Sequence, residues 1–149
     1  MDASRILDAI IRSNYRMALL NSSESDRLVA LFKRLTLTTG RAIYHWRPNM
    51  GLSRLGVEHI LIPRTRTPGE VLSYIGASRH FGVYLLQDFG GALQRTTVRR
   101  ELLRIDEAND GVDRLVLFLD TQLTIPDELR GRVANIRHNV KPRQRQATG

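Results

Sequence analysis

Two stretches of this chain, GVYLLQ (Gly82–Gln87) and DRLVLFLDTQ (113–122), are apolar along nearly the full length of a strand. A strand with no polar face must be covered on both sides, which is the situation of a central strand in a parallel sheet between two layers of helices. The segments between the apolar runs carry the other period. Ala3–Ser13 sets Ile6, Leu7, Ile10 and Ile11 on one side of a helix that docks on the body of the domain or on a partner. SESDRLVALFKRLTLTTG reads as a serine-capped helix with Leu28, Leu31, Phe32 and Leu35 inward and Gly40 as its stop. In TPGEVLSYIGAS, Thr67 caps, Pro68 takes the first helical position and Glu70 completes a capping box, with Val71, Leu72, Tyr74 and Ile75 buried. RTTVRRELLRIDEAND is a helix capped near Thr96 or Thr97 that buries Val98, Leu102 and Ile105.

Further strands are predicted through 18–20, 41–46 and 134–140, and IPDELRGRV reads as a short helix started by Pro126. Pro48, Gly51, Gly56 and Pro63 interrupt residues 47–66, which read as a long connection. The expectation is therefore an α/β fold: a three-layer, mainly parallel five-stranded sheet with an extra N-terminal helix. Residues 1–140 form a single domain in this reading, followed by a disordered basic tail, 141–149.

Charge qualifies that outline. The net charge is +8, and all but two of the 23 basic residues are arginine. The excess sits in two places. Residues 41–66 carry Arg41, Arg47, Arg54, Arg64 and Arg66 against Glu58 alone, and 137–149 carry Arg137, Lys141, Arg143 and Arg145 with no acid. Such patches suit a polyanion, with Trp46 and Tyr44 as stacking surfaces, so Arg47, Arg54, Arg64, Arg66, Arg143 and Arg145 are candidate nucleic-acid contacts. There is no cysteine, and no apolar run approaches the length that spans a bilayer. A cytoplasmic protein with no membrane contact is expected.

In a sheet of this kind ligands bind beyond the carboxyl ends of the strands. The run ending at Asp88, followed by Phe89 and two glycines, has the form of a magnesium-holding strand in a P-loop NTPase. The phosphate grip is another matter. Where GxxxxGK[ST] should follow the first strand, the chain reads NSSESDRL. Asn21 and Asp26 replace the glycines, Arg27 replaces the lysine, and Leu28 replaces the metal-binding hydroxyl. Without glycines the amide nest cannot close on phosphate, and Glu24 and Asp26 add negative charge where a triphosphate brings its own. Asn21, Asp26, Arg27, Asp88 and Asp120 are thus the remnant of a nucleotide site, with no working P-loop among them. His45, His59, His80 and His138 are isolated, and Ser22, Ser23 and Ser25 lack a nucleophile elbow. No catalytic residue, metal or cofactor is expected.

The order of motifs carries a resemblance. Trp46 with Gly51 and Leu52, Thr65 or Thr67 with Pro68, Tyr74 and Ile75, the triplet Gln87–Asp88–Phe89, and Ile125–Pro126 with Glu128 and Leu129 follow one another in series. Over roughly residues 15–140 the series resembles the N-terminal domain of a group of bacterial, cyanobacterial and plastid AAA+ ATPases. The resemblance implies a degenerate RecA-like module without a Walker A motif. In that family the module precedes a catalytic AAA+ domain, whereas here the chain ends, so ATPase activity is not carried over. The lysine of the family's triplet is replaced by Gln87. Three functions follow as expectations. The first is a non-catalytic module that binds an AAA+ ATPase or copies of itself. The second is a nucleic-acid binder using the two basic stretches, and the third a nucleotide sensor or small enzyme at Asn21, Asp88 and Asp120.

Overall fold

The structure is a computed structural model that describes residues 3–136. Four helices, α1 (Ala3–Ser13), α2 (Ser25–Thr39), α3 (Pro68–Ala77) and α4 (Thr96–Glu107), alternate with strands. The strands are β1 (Met17–Asn21), β2 (Ile43–Arg47), β3 (Gly51–Arg54), β4 (Leu61–Ile62), β5 (Gly82–Gln87), β6 (Arg114–Asp120) and β7 (Val133–Ile136). They form one sheet in the order β4-β3-β2-β5-β6-β1-β7. β2, β5, β6, β1 and β7 run parallel, while β3 and β4 extend the β2 side antiparallel.

The chain leaves β1 in one direction, toward β2, and steps back the other way through β5, β6 and β7. With right-handed crossovers, reversing direction moves the connecting helix to the opposite face. The two cores record this. Leu28 and Phe32 of α2, with Ile6, Leu7 and Ile10 of α1, pack on Ala18, Leu20, Val83, Leu85 and Leu117. Val71, Leu72 and Ile75 of α3, with Val98, Leu102 and Ile105 of α4, pack on Met17, Leu19, Tyr84, Leu86 and Phe118. Successive strand residues feed opposite cores, and every residue of β5 is buried.

Among the described residues seven strands, not five, make up the sheet. The connection through 47–66 holds two short strands because its proline and glycines shape a turn rather than preventing pairing. Pro48 precedes Asn49 at φ 64, and the Met50 amide donates to the Arg47 carbonyl at 3.1 Å. A proline followed by a positive φ is the pattern of a type II turn. It folds β3 back on β2, with Arg47 opposite Gly51 and Tyr44 opposite Arg54.

Several local expectations also change. Ile11 lies on the solvent side of α1 at 43% exposure. The residue capping α2 is Glu24, not a serine, and its side chain makes no cap bond; the Ser22 hydroxyl accepts from the Glu24 amide instead. Arg95, not Thr96 or Thr97, precedes α4 and again makes no side-chain cap. Thr96 is already helical, so its hydroxyl lies past the capping position and accepts from Arg99. The segment after Pro126 forms one 3-10 turn, Asp127–Leu129. The capping box of α3 and the left-handed stop of α2 at Gly40 (φ 75) are present as read. None of the helices is long and apolar enough to cross a membrane among the described residues.

Candidate functional site

The chain reverses direction between β1 and β6, where the carboxyl ends of the two strands lie side by side. This is the position at which open α/β sheets place ligands. Asn21 and Asp120, the last residues of these strands, are register partners, and the Ser22 amide donates to the Asp120 carbonyl at 2.7 Å. Asn21 is exposed, but its side-chain amide is engaged by the backbone of Leu123. Its Oδ1 accepts from the Leu123 amide at 3.1 Å and its Nδ2 donates to the Leu123 carbonyl at 3.4 Å. An asparagine amide used this way replaces a strand partner, and it ties the 121–125 segment across the strand ends. Leu123 is thereby buried beside Phe89, Leu93 and Leu129.

Asp88 explains how Phe89 arrives there. Its backbone is left-handed (φ 57), its side chain is exposed, and its amide donates to the Leu119 carbonyl at 3.0 Å. That reversal at the end of β5 throws Phe89 inward, edge-on to Trp46 at 5.3 Å and tilted on Phe118 at 5.8 Å. Aspartate is among the few residues that tolerate this conformation. Asp120 is half-buried. Its Oδ1 accepts from the Thr121 amide at 2.8 Å, and a Cβ on Gly90 would stand 3.2 Å from its Oδ2. The bare glycine is what lets the following turn approach this carboxylate.

The start of α2 completes the edge. Asp26 lies exposed in the first turn, and Arg27 donates to Glu24 at 3.3 Å. The positive end of the helix dipole is met by two carboxylates of the chain itself. On the α2 side, His45 and Gln87 share a hydrogen bond of 2.7 Å between neighbouring strands. Burial pushes the His45 pKa down, while the Gln87 bond and the charges of Asp26 and Glu58 partly oppose that and Arg47 adds to it. Asn21, Asp88 and Asp120 thus lie at the ends of three strands and Asp26 and Arg27 in the first turn of α2; of the five, Asn21 and Asp120 bond the backbone through their side chains, and Arg27 bonds Glu24. The signal missed in the sequence was Leu123, whose role needs Asn21 about a hundred residues away.

The basic stretch is divided. Arg47 ends β2 beside the hairpin turn, and the loop bearing Arg64 and Arg66 returns to the same end, where Arg66 approaches Gly51. Arg54 lies at the other end of the hairpin and donates to the Gly40 carbonyl at 3.4 Å. Trp46 is 2% exposed, with its Nε1 donating to the Thr65 carbonyl at 2.7 Å, so it is core and offers no stacking face. Tyr44 is stacked on Tyr84 at 5.1 Å. Arg143 and Arg145 lie outside the described residues, as does His138. Among the described residues no three His, Asp or Glu side chains come together as a metal set requires.

Residues 3–138 match the family described as the N-terminal domain of SpoVK-like AAA ATPases, and the chain belongs to that family. No curated protein and no solved structure matches it.

Proposed function

As a member of the SpoVK-like AAA ATPase N-terminal domain family, the chain is, we propose, a non-catalytic RecA-like interaction module that works with an AAA+ ATPase ring or with copies of itself. The observation that carries the reading is the occupied strand edge. Asn21, which stands at the first glycine position of a P-loop, spends its amide on Leu123, and Glu24 and Asp26 crowd the helix end that would face phosphate. A triphosphate placed there would meet carboxylates and lose the amide nest that makes such sites bind. What remains is a sheet with the helices of a nucleotide fold and surfaces free to associate. Asn21, Asp26, Arg27, Asp88 and Asp120 are in this reading the structural heirs of the phosphate site.

A second reading draws on Arg47, Arg64 and Arg66 at one end of the β2–β3 hairpin, which suit the backbone of a nucleic acid. Capture of the tagged chain from its native lysate, with and without nuclease and at low and moderate salt, separates the readings. A nuclease-resistant AAA+ ATPase among the captured proteins is the expected result. Nucleic acid lost at moderate salt transfers the function to the arginines. Saturable binding of magnesium-ATP by the purified chain overturns the non-catalytic reading and restores Asp88 and Asp120 as site residues.

A further inference from the structure

Met50, Val57, Ile60 and Leu61 are exposed by 56, 40, 58 and 48%, and they account for half of the large hydrophobic side chains that stand exposed among the described residues. Single exposed apolar residues are ordinary, but four within one hairpin and its return are not. They flank β4, the last strand on its side of the sheet, whose outer flank pairs with no strand among the described residues. Beside Leu61 lies a hollow of about 390 Å³ whose walls include Met50, Pro63, Arg64 and Arg66. It shares Ile62, Arg64 and Glu70 with a larger groove of about 890 Å³ that continues over Leu72, Tyr74 and Val98 between α3 and α4.

The charge around this edge is predominantly basic, with Glu70 the acid in the wall of the hollow. Arg64 and Arg66 line the hollow, and Arg47 lies at the same end of the hairpin. The nearby acids are already engaged. Glu58 is bound to Lys33 at 3.2 Å, and Glu70 accepts from the Thr67 amide at 3.1 Å in the capping box of α3. Arg64 holds a left-handed backbone (φ 55), an uncommon state for a side chain of that length, at the corner that joins hollow and groove.

We propose that the β4 edge is a docking site for an extended acidic segment of a partner protein. The segment lies along β4 as an added strand, seats its apolar side chains on Ile60 and Leu61 and in the hollow, and sets its carboxylates on Arg64 and Arg66. The inference rests on the interaction-module reading and names the partner's chemistry. β4 is only two residues long, so backbone bonds alone give little and the side chains select the partner. A second copy of the chain would bring the same arginines and a net charge of +8 to the contact. A nucleic acid would satisfy the arginines but leave the apolar residues and the strand edge unused.

Fluorescence anisotropy on the full chain tests this. The probe is a labelled synthetic peptide of alternating valine and glutamate. It is compared with the same peptide carrying lysine for glutamate, with one N-methylated at alternate amides, and with oligodeoxythymidylate. The acidic peptide should bind, more weakly as salt rises, and both altered peptides should bind at least about tenfold more weakly. The double variant Arg64→Asn with Arg66→Ala should also lose about tenfold with an unchanged melting curve, asparagine being chosen because it tolerates the left-handed backbone. Failure of the acidic peptide to bind overturns the proposal, as do equal binding of the lysine peptide, indifference to N-methylation, or tighter binding of the oligonucleotide. Should the peptide fail while an AAA+ ATPase is still captured from lysate, only the β4 site is lost and the interaction-module reading stands.

Discussion

Thr65 has no exposed surface and three hydrogen bonds run through it. Its Oγ1 donates to the Ile62 carbonyl at 2.7 Å and accepts from the Leu52 amide at 2.9 Å, while its carbonyl accepts from Trp46 Nε1 at 2.7 Å. One residue therefore locks β4 to β3 through its hydroxyl and holds, through its carbonyl, the indole that supports Phe89. Thr65→Val keeps the shape and removes both hydroxyl bonds, leaving the buried Leu52 amide without its acceptor. A loss of about 1–3 kcal/mol in chemical denaturation is expected. His45 gives a second test at this scale. Its pKa is lowered in the fold, chiefly by burial, so the unfolded chain takes up a proton first as pH falls. The contribution is complete above the ordinary histidine range, near pH 6.5, and is lost as pH drops through the depressed value. The melting temperature of the chain should fall more steeply between about pH 7 and 5 than that of His45→Phe.

At the scale of elements, two arginines finish two helices. Arg114, 3% exposed at the start of β6, donates to the Ile75 carbonyl at 2.9 Å and the Ser78 carbonyl at 2.6 Å, closing the end of α3. Arg16, just before β1, donates to the Asp106 and Ala108 carbonyls at 3.1 and 2.6 Å and closes α4. Both place positive charge at the negative end of a helix dipole. Asp110 holds the Arg114 guanidinium with both oxygens, and these bonds hold its carboxyl down at about 2. This part of the anchor is present above the usual carboxylate range and disappears only as pH falls through about 2. Arg114→Met takes a donor from both carbonyls, though Ile75 keeps the Ser78 amide at 3.1 Å, and should cost about 1–3 kcal/mol in all in thermal unfolding; Arg114→Lys should recover only part, lacking the planar fork. Periodicity made α1 to α4 and the central strands legible, because burial on one face or two leaves a direct mark on the sequence. β3 and β4 were not legible, since a short edge hairpin owes its existence to a turn and to Thr65 rather than to an apolar run. The cap of α2 was missed for a related reason: three serines and two acids stand in a row, and only geometry selects Glu24.

At the scale of the whole molecule, the arginines sort into classes that composition could not separate. Arg16 and Arg114 are structural, Arg99 and Arg132 clip the 126–132 segment to its surroundings through Glu128, Asp106 and Glu107, and Arg47, Arg64 and Arg66 remain at the surface. Net charge by itself does not separate these classes. The candidate site was legible as a place, the strand ends, and as an absence of glycines. Its closure by Leu123 was not, because that contact joins residues distant along the chain.

The same geometry sets an order of events. β1 lies between β6 and β7, and Met17 pairs with both Val116 and Val133. During synthesis β1 emerges before the other strands of the sheet, yet its first neighbour is about a hundred residues behind it. At the usual pace of translation that is roughly 5–20 s during which Met17, Leu19 and Leu20 have no sheet to join. The β2–β3 hairpin and β5 can pair well before then. Of this sheet's strands the first to be made is therefore among the last to be installed, and the nascent chain must keep it from other partners until β6 arrives.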